Sequence, residues 1–333
     1  MPYHADGRLL RVVGLTFLSL LALGVAGISY NAFALRGETR LHPRPGKLVR
    51  AGNFRLNLYC IGQGKATVLL EAGLADSLDS WSRVQPAIAQ FTRVCSYDRA
   101  GYGSSDPGPM PRTSDRIASE LHEALRSAGE RPPYLLVGHS YGGYIVRVFN
   151  GDYPDQVAGI VLVDSTQEDQ YKLLPRAWVK MGAQMRSRAH RQAFWAPLYV
   201  DLGIARLQLL MQRRQPPPGL LQSKYLKARA SEFENIEVSA EQARAADHIA
   251  HTPLVVLTAG KTIDAALQVV LSAQDQRAYQ DTWVNVLQLR LAHLSMIARR
   301  VIVADSGHDM PSDRPDAIVS AVRELYDATS DGK

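Results

Sequence analysis

The chain predicts an α/β protein with a mostly parallel sheet covered by helices, and three observations carry that reading. Short β-branched and apolar runs recur along most of the 333 residues. Between them lie amphipathic helical stretches, the alternation expected when parallel strands are joined by crossover helices. The composition, 46% hydrophobic and 21% charged, is that of a globular chain able to bury a core, which excludes disordered, collagen-like and disulfide-scaffold classes.

Taken in order, the first element is an uncharged run, Val12 to Leu35, flanked by Arg8 and Arg11 on one side and by Arg36, Arg40 and Arg44 on the other. About 20 apolar residues cross a bilayer as helix, so residues 1–40 are read as a membrane anchor or signal segment. Ala32-Phe33-Ala34 offers a signal-peptidase-like site, but the run is longer than the usual cleaved core, and a retained anchor is favoured. The basic residues beyond the run, taken alone, place the body inside. A Pro- and Gly-containing linker, residues 42–47, leads into the body. Strands are predicted at Phe54–Cys60, Thr67–Leu70, Arg93–Tyr97, Tyr134–Val137, Gly159–Val163, Leu254–Thr258 and Val301–Ala304. Helices fit near Ser114–Ala128, Tyr144–Asn150, Gln274–Leu294 and Pro315–Ala328.

The alternation breaks once, after Val163. Residues 165–250 form an inserted helical cap, which divides the body into a first part, 41–164, and a second part, 251–333. Of the net charge of +6, the first 50 residues carry seven basic and two acidic side chains and the cap 13 and eight. No Lys/Arg block is dense enough for a nucleic-acid footprint. Within the cap, Trp178, Phe194, Trp195 and Leu198 stand among the cations, which leaves two readings: a solvated lid, or an amphipathic face laid on anionic lipid.

Chemistry enters at Gly138-His139-Ser140-Tyr141-Gly142-Gly143. A predicted strand precedes it and a helix follows, the context that gives a G-x-S-x-G pattern meaning as a nucleophile elbow. Glycines there permit a tight turn that projects the serine Oγ. A serine hydroxyl needs a base, and histidine's ordinary pKa suits that task. Of nine histidines, His308 follows a late β-run through Asp305-Ser306-Gly307. His139 adjoins the serine, and its side chain is expected to point elsewhere.

These pieces, together with Leu70-Glu71-Ala72-Gly73-Leu74, Tyr97-Asp98-Arg99-Ala100-Gly101-Tyr102-Gly103-Ser104-Ser105-Asp106 and Val161-Leu162-Val163-Asp164-Ser165, resemble the α/β-hydrolase fold superfamily. Within it the chain is similar to a bacterial membrane-anchored or exported serine hydrolase subgroup. The resemblance implies that Ser140 is the nucleophile and His308 the base. The acid is Asp164 or, as the alternative, Asp264, since each follows a strand in the Ser-acid-His interval; the Val-Asp-Ser piece favours Asp164. The oxyanion donors are expected to be the backbone N–H groups of Tyr141 and Leu74, although superfamily members usually carry His-Gly where this chain has Ala72-Gly73. Asp98 is read as ordering the glycine turn that follows it, and Trp81 as a core residue.

The expected function is a serine hydrolase acting on an ester or related acyl compound through an acyl-enzyme, with no metal or organic cofactor. Alternatives are amide, lactone or carbon–carbon bond hydrolysis, acyl transfer, or a non-catalytic binding protein of the same fold. The expected partners are a small acyl substrate and, through the leader, a membrane. The superfamily's strand order sets the strand ending at Cys60 antiparallel to and beside the one containing Cys95, so a disulfide between the two is expected. Such a bridge persists in an oxidising space and places the body in the periplasm or otherwise outside the cytoplasm, against the charge count; cleavage and export, or an anchor facing the cytoplasm, are the alternatives.

Overall fold

A computed structural model of the chain describes residues 7–41, 44–214, 221–246, 249–263 and 265–331. The chain divides into two compact units, Met1–Arg44 with Arg191–Lys227, and Pro45–His190 with Ala228–Lys333. The inserted segment is therefore shared between them: its middle belongs with the N-terminal helix and its two ends with the sheet.

The larger unit is built on one eight-stranded sheet. The strands are β1 (Lys47–Ala51), β2 (Phe54–Ile61), β3 (Thr67–Glu71), β4 (Arg93–Asp98), β5 (Tyr134–His139), β6 (Val157–Val163), β7 (Leu254–Ala259) and β8 (Ala298–Val303). Their spatial order is β1-β2-β4-β3-β5-β6-β7-β8. β1, β2 and β4 pair antiparallel, and all later pairs are parallel. This is the mostly parallel, helix-flanked sheet of the α/β-hydrolase fold.

β1 is the one strand the sequence reading lacks, because it begins within the presumed linker. Its five residues, Lys-Leu-Val-Arg-Ala, are mostly exposed, and two of them are charged. A short charged strand at a sheet edge gives little hydrophobic signal.

Side chains alternate across the central strands and feed two cores. Leu69, Leu136, Ile160 and Val256 pack on one side with Ile117, Leu121, Ile145 and Phe149, which come from the helices Ser114–Ala128 and Gly142–Asp152. Val68, Leu70, Val137, Val161 and Val255 face the other way, onto Trp81, Ile88 and the helix Pro315–Asp331 through Ile318, Val322 and Leu325. Because β3, β5, β6 and β7 are covered on both faces, they read as continuous apolar runs. Their carboxyl ends are where the chemistry-bearing residues of the sequence fall, as expected for open parallel sheets.

Cys60 and Cys95 are direct register partners across β2 and β4 and are joined as a disulfide. In the smaller unit the helix Gly7–Leu41 contains a stretch, Arg8–Glu38, long and apolar enough to cross a bilayer.

Candidate active site

The strand β5 ends in a turn in which Ser140 adopts a left-handed backbone, φ 51°. Non-glycine residues pay for that conformation, and here neighbouring backbone holds it. Ser140 N donates to Val163 O at 3.1 Å, and Ser140 O accepts from Gly143 N at 3.0 Å and Thr166 N at 3.1 Å. The two glycines that follow are required by close approach. A Cβ at Gly142 would lie 2.5 Å from the Glu71 carbonyl, and one at Gly143 would lie 2.5 Å from the Ser165 Cβ.

A second left-handed residue ends β6: Asp164, φ 39°. It is buried, and both of its carboxylate oxygens are occupied. Oδ1 accepts from the Ala259 amide at 2.9 Å and from Trp283 Nε1 at 2.9 Å, and Oδ2 lies 2.6 Å from His308 Nδ1. The other ring nitrogen of His308, Nε2, lies 3.0 Å from Ser140 Oγ. A carboxylate only accepts, so Nδ1 carries the proton, which leaves Nε2 with a lone pair aimed at the serine hydroxyl. The His308 side chain is 44% exposed, so its ring is reachable from solvent, whereas the Asp164 side chain is only 2% exposed.

Ser140, Asp164 and His308 thus come together from the ends of β5 and β6 and from the loop after β8. Asp264 lies outside the described residues. His139, next to Ser140, turns away as expected: it is buried, and its Nε2–H donates to the His308 carbonyl at 2.8 Å. Burial pulls the His139 imidazole down to about 4, and the neighbouring His308 charge acts the same way. Among the described residues its Nδ1 has no hydrogen-bond partner, which suits a neutral ring that carries its proton on Nε2. His139 also helps to hold the loop bearing His308.

The loop after β3 is fixed by a buried cation that the sequence reading passed over. Arg99 donates to the Ala72 carbonyl at 2.9 Å and to the Gly73 carbonyl at 2.8 Å. It also pairs with Glu71 at 2.9 Å and with Glu232 at 2.9 Å, and Tyr102 donates to Glu232 at 2.6 Å. Burial pushes the Glu71 carboxyl up to about 7 against the pull of Arg99. In a trans peptide the N–H points opposite to the C=O. With the Gly73 carbonyl held by Arg99, the Leu74 amide is directed away from that guanidinium.

Leu74, Ser140, Tyr141 and His308 line a common cavity of about 300 Å³ whose remaining walls are mainly apolar, among them Trp178, Phe233 and Leu267. Asp98 sits outside this cavity. It accepts from the Ser104 amide at 2.9 Å and from Asn57 Nδ2 at 3.1 Å, and so orders the turn after β4. Trp81 is fully buried and meets His139 edge-on.

Trp283 and Arg99 are the side chains that sequence reasoning missed. Arg99 left one signal, a cation immediately after the core strand β4; Trp283 left none, because its value lies in a contact spanning 119 residues.

The model of the alpha/beta hydrolase fold matches residues 66–205 of this chain. Among curated proteins, YbdG of Bacillus subtilis is 28% identical over 167 residues, a match covering 48% of this chain and 51% of that protein. An AB hydrolase superfamily protein of Gibberella zeae is 27% identical over 276 residues, covering 77% of this chain and 85% of the relative. Among solved structures, an esterase from Thermogutta terrifontis superposes with a TM-score of 0.57 at 20% identity, covering 86% of this chain and 99% of that one. The sheet order, the strand-end turns and these likenesses agree on one architecture: the chain has the alpha/beta hydrolase fold.

Proposed function

We propose that the protein is a serine hydrolase that cleaves an ester or related acyl compound through an acyl-enzyme, with Ser140, His308 and Asp164 as its triad. The observation that carries this reading is the unbroken relay from Ser140 Oγ to His308 Nε2 at 3.0 Å and from His308 Nδ1 to Asp164 Oδ2 at 2.6 Å. Ser140 Oγ adds to the substrate carbonyl as His308 Nε2 takes its proton, and the carbonyl oxygen becomes an oxyanion. The amides of Tyr141 and Leu74 supply its donors, one at the start of the helix Gly142–Asp152 and the other oriented by Arg99. Collapse expels the alcohol, which leaves with the proton held by His308. Water then enters with His308 as base and repeats the sequence, releasing the acid and restoring Ser140. Asp164 orients the imidazole and stabilises its charged form. Nothing in this cycle calls for a cofactor. The apolar walls suit an uncharged acyl or alcohol portion of modest size.

A fluorophosphonate probe tests the assignment. Wild-type protein is expected to label at Ser140 and to hydrolyse p-nitrophenyl esters. Ser140→Ala is expected to lose labelling and to fall at least about 10⁴-fold in turnover while keeping its circular dichroism spectrum. Unchanged labelling of Ser140→Ala overturns the mechanism.

We further propose that the N-terminal helix is a retained anchor and that the body lies outside the cytoplasm. The Cys60–Cys95 disulfide supports this side of the membrane, since reducing compartments do not maintain such bonds. Two freely alkylated thiols in unreduced native protein overturn it.

A further inference from the structure

The smaller unit contains a helix whose polarity is reversed with respect to water. In the helix Ile204–Met211, the outward residues Ile204, Leu207, Leu210 and Met211 are 45%, 54%, 62% and 78% exposed, while its one charged residue, Arg206, is buried. A helix on a soluble protein turns its apolar stripe inward and its charges outward. The exposed residues continue into the preceding segment: Phe194, Trp195, Leu198 and Tyr199 are exposed too. Contiguous apolar surface of this kind marks a covered face.

What covers it is indicated by the partners of Arg206. Its Nε donates to Asn31 Oδ1 at 2.6 Å, and its guanidinium pairs with Glu38. Both partners lie on the apolar N-terminal helix. The backbones are also close: a Cβ at Gly27 would lie 2.2 Å from the Leu202 carbonyl, so glycine at 27 permits the contact. Asn31 lies about 28 Å along the helix from Val12 at about 1.5 Å per residue, close to the roughly 30 Å thickness of the hydrocarbon core. The reversed helix is therefore held at the level where the spanning helix leaves the lipid.

Aromatic side chains favour that level. Cations also stand in this segment: apart from the buried Arg206, residues 191–227 hold five basic side chains and one acidic, and Arg213 and Arg214, just past the helix end, are exposed.

From this geometry we infer that the segment from Phe194 to Met211 is a second membrane contact, an interfacial helical hairpin whose apolar face sits in the lipid leaflet beside the anchor. The inference rests on reading the N-terminal helix as an anchor. Insertion at this depth buries apolar side chains while exposed arginines stay in the headgroup layer. It also explains why Arg206, which would be costly to bury alone, faces inward: its carboxylate and amide partners are supplied by the spanning helix.

The test uses the full chain reconstituted in phosphatidylcholine and phosphatidylglycerol vesicles containing a phospholipid with a photoreactive diazirine in its acyl chain. Peptide mapping after irradiation is expected to find label both in 12–31 and in 194–211. Label in 12–31 with none in 194–211 overturns the inference and leaves the anchor standing, and a covalent dimer through 194–211 after chemical cross-linking would then identify a second copy as the occupant. Absence of label from both segments overturns the anchor reading and the inference with it. A second measurement follows Trp195 fluorescence with brominated lipids: quenching is expected in the wild type, and the quenched component is expected to vanish in Trp195→Phe. Quenching that is identical in the two proteins counts against Trp195 lying in lipid and overturns the assignment.

Discussion

The turns that end β5 and β6 perform parallel tasks by different means. Each holds a non-glycine residue in left-handed backbone at a strand's carboxyl end, Ser140 at φ 51° and Asp164 at φ 39°. The β5 turn achieves this by omitting side chains: Gly142 and Gly143 let the backbone pass within contact distance of Glu71 and Ser165. In the β6 turn, added hydrogen bonds do the work. The Asp164 amide donates to Leu257 O at 2.7 Å, and its carboxylate receives the Ala259 amide and the Trp283 indole. A turn made by close approach leaves its requirement in adjacent residues of the chain, whereas a turn made by distant donors does not. That difference explains why the sequence singled out Ser140 and left Asp164 beside an alternative.

After Ser140 itself, the largest expected effect falls on Asp164. Asparagine tolerates left-handed backbone and matches the shape of aspartate, so Asp164→Asn should fold, yet it removes the charge that stabilises the imidazolium. A fall in kcat of about 10⁴-fold is expected, measured with p-nitrophenyl esters, while Asp264→Asn should stay within about threefold of wild type at this energy scale. A crippled Asp264→Asn with an active Asp164→Asn would move the third member of the triad away from β6.

Next comes the glycine turn. Gly142→Ala places a methyl 2.5 Å from a backbone carbonyl that cannot swing aside. The expected cost is about 1 to 3 kcal/mol in stability, read by urea denaturation. A kcat loss of about 10²-fold is expected from misplacement of the nucleophile. Unaltered kinetics would show that close approach is not what holds this turn.

Trp283→Phe keeps a buried ring and deletes one donor to Asp164. Asp164 retains the Ala259 amide, so a smaller drop in kcat, about 10-fold or the equivalent of about 1.4 kcal/mol, is expected with KM little changed. A shift confined to KM would assign Trp283 to the pocket wall alone.

The effect on rate is smallest at His139, whose titration acts on stability instead. Its pKa is lowered in the fold, from 6.5 to about 4, so between those pH values the unfolded chain binds a proton that the folded chain refuses. Unfolding free energy therefore rises with pH across that window and is lost as the pH falls from about 6.5 toward 4, by up to roughly 3 kcal/mol. His139→Gln keeps an N–H for the His308 carbonyl and removes the titration. Its stability should depend less steeply on pH over the same window, as measured by thermal or urea unfolding.

The fold was legible because the physics behind it is local. β3, β5, β6 and β7 announce themselves as apolar runs, since both faces of each are covered. The turn at 138–143 shows in its glycines, and the N-terminal helix in an uncharged stretch of bilayer length. β1 was hidden because a short edge strand buries little, and its charges resemble those of a linker. The middle of the insertion was ambiguous for another reason. Phe194, Leu207 and Leu210 fit a lid as well as a membrane face until it is known which way they point.

By itself, then, the amino-acid sequence determined seven of the eight strands, the turn with Ser140, and the place of His308 after the final strand. Each of these rests on residues adjacent in the chain. Tertiary structure alone decided that Asp164 is the carboxylate facing His308, that Trp283 and Ala259 hold that carboxylate, that Arg99 clamps the loop bearing Leu74, and that Arg206 turns inward to Asn31 and Glu38. Those contacts join residues 26 to 175 positions apart. A hydrogen bond leaves no periodicity in the chain when its two ends lie on different elements, and only folding brings such ends within 3 Å of each other.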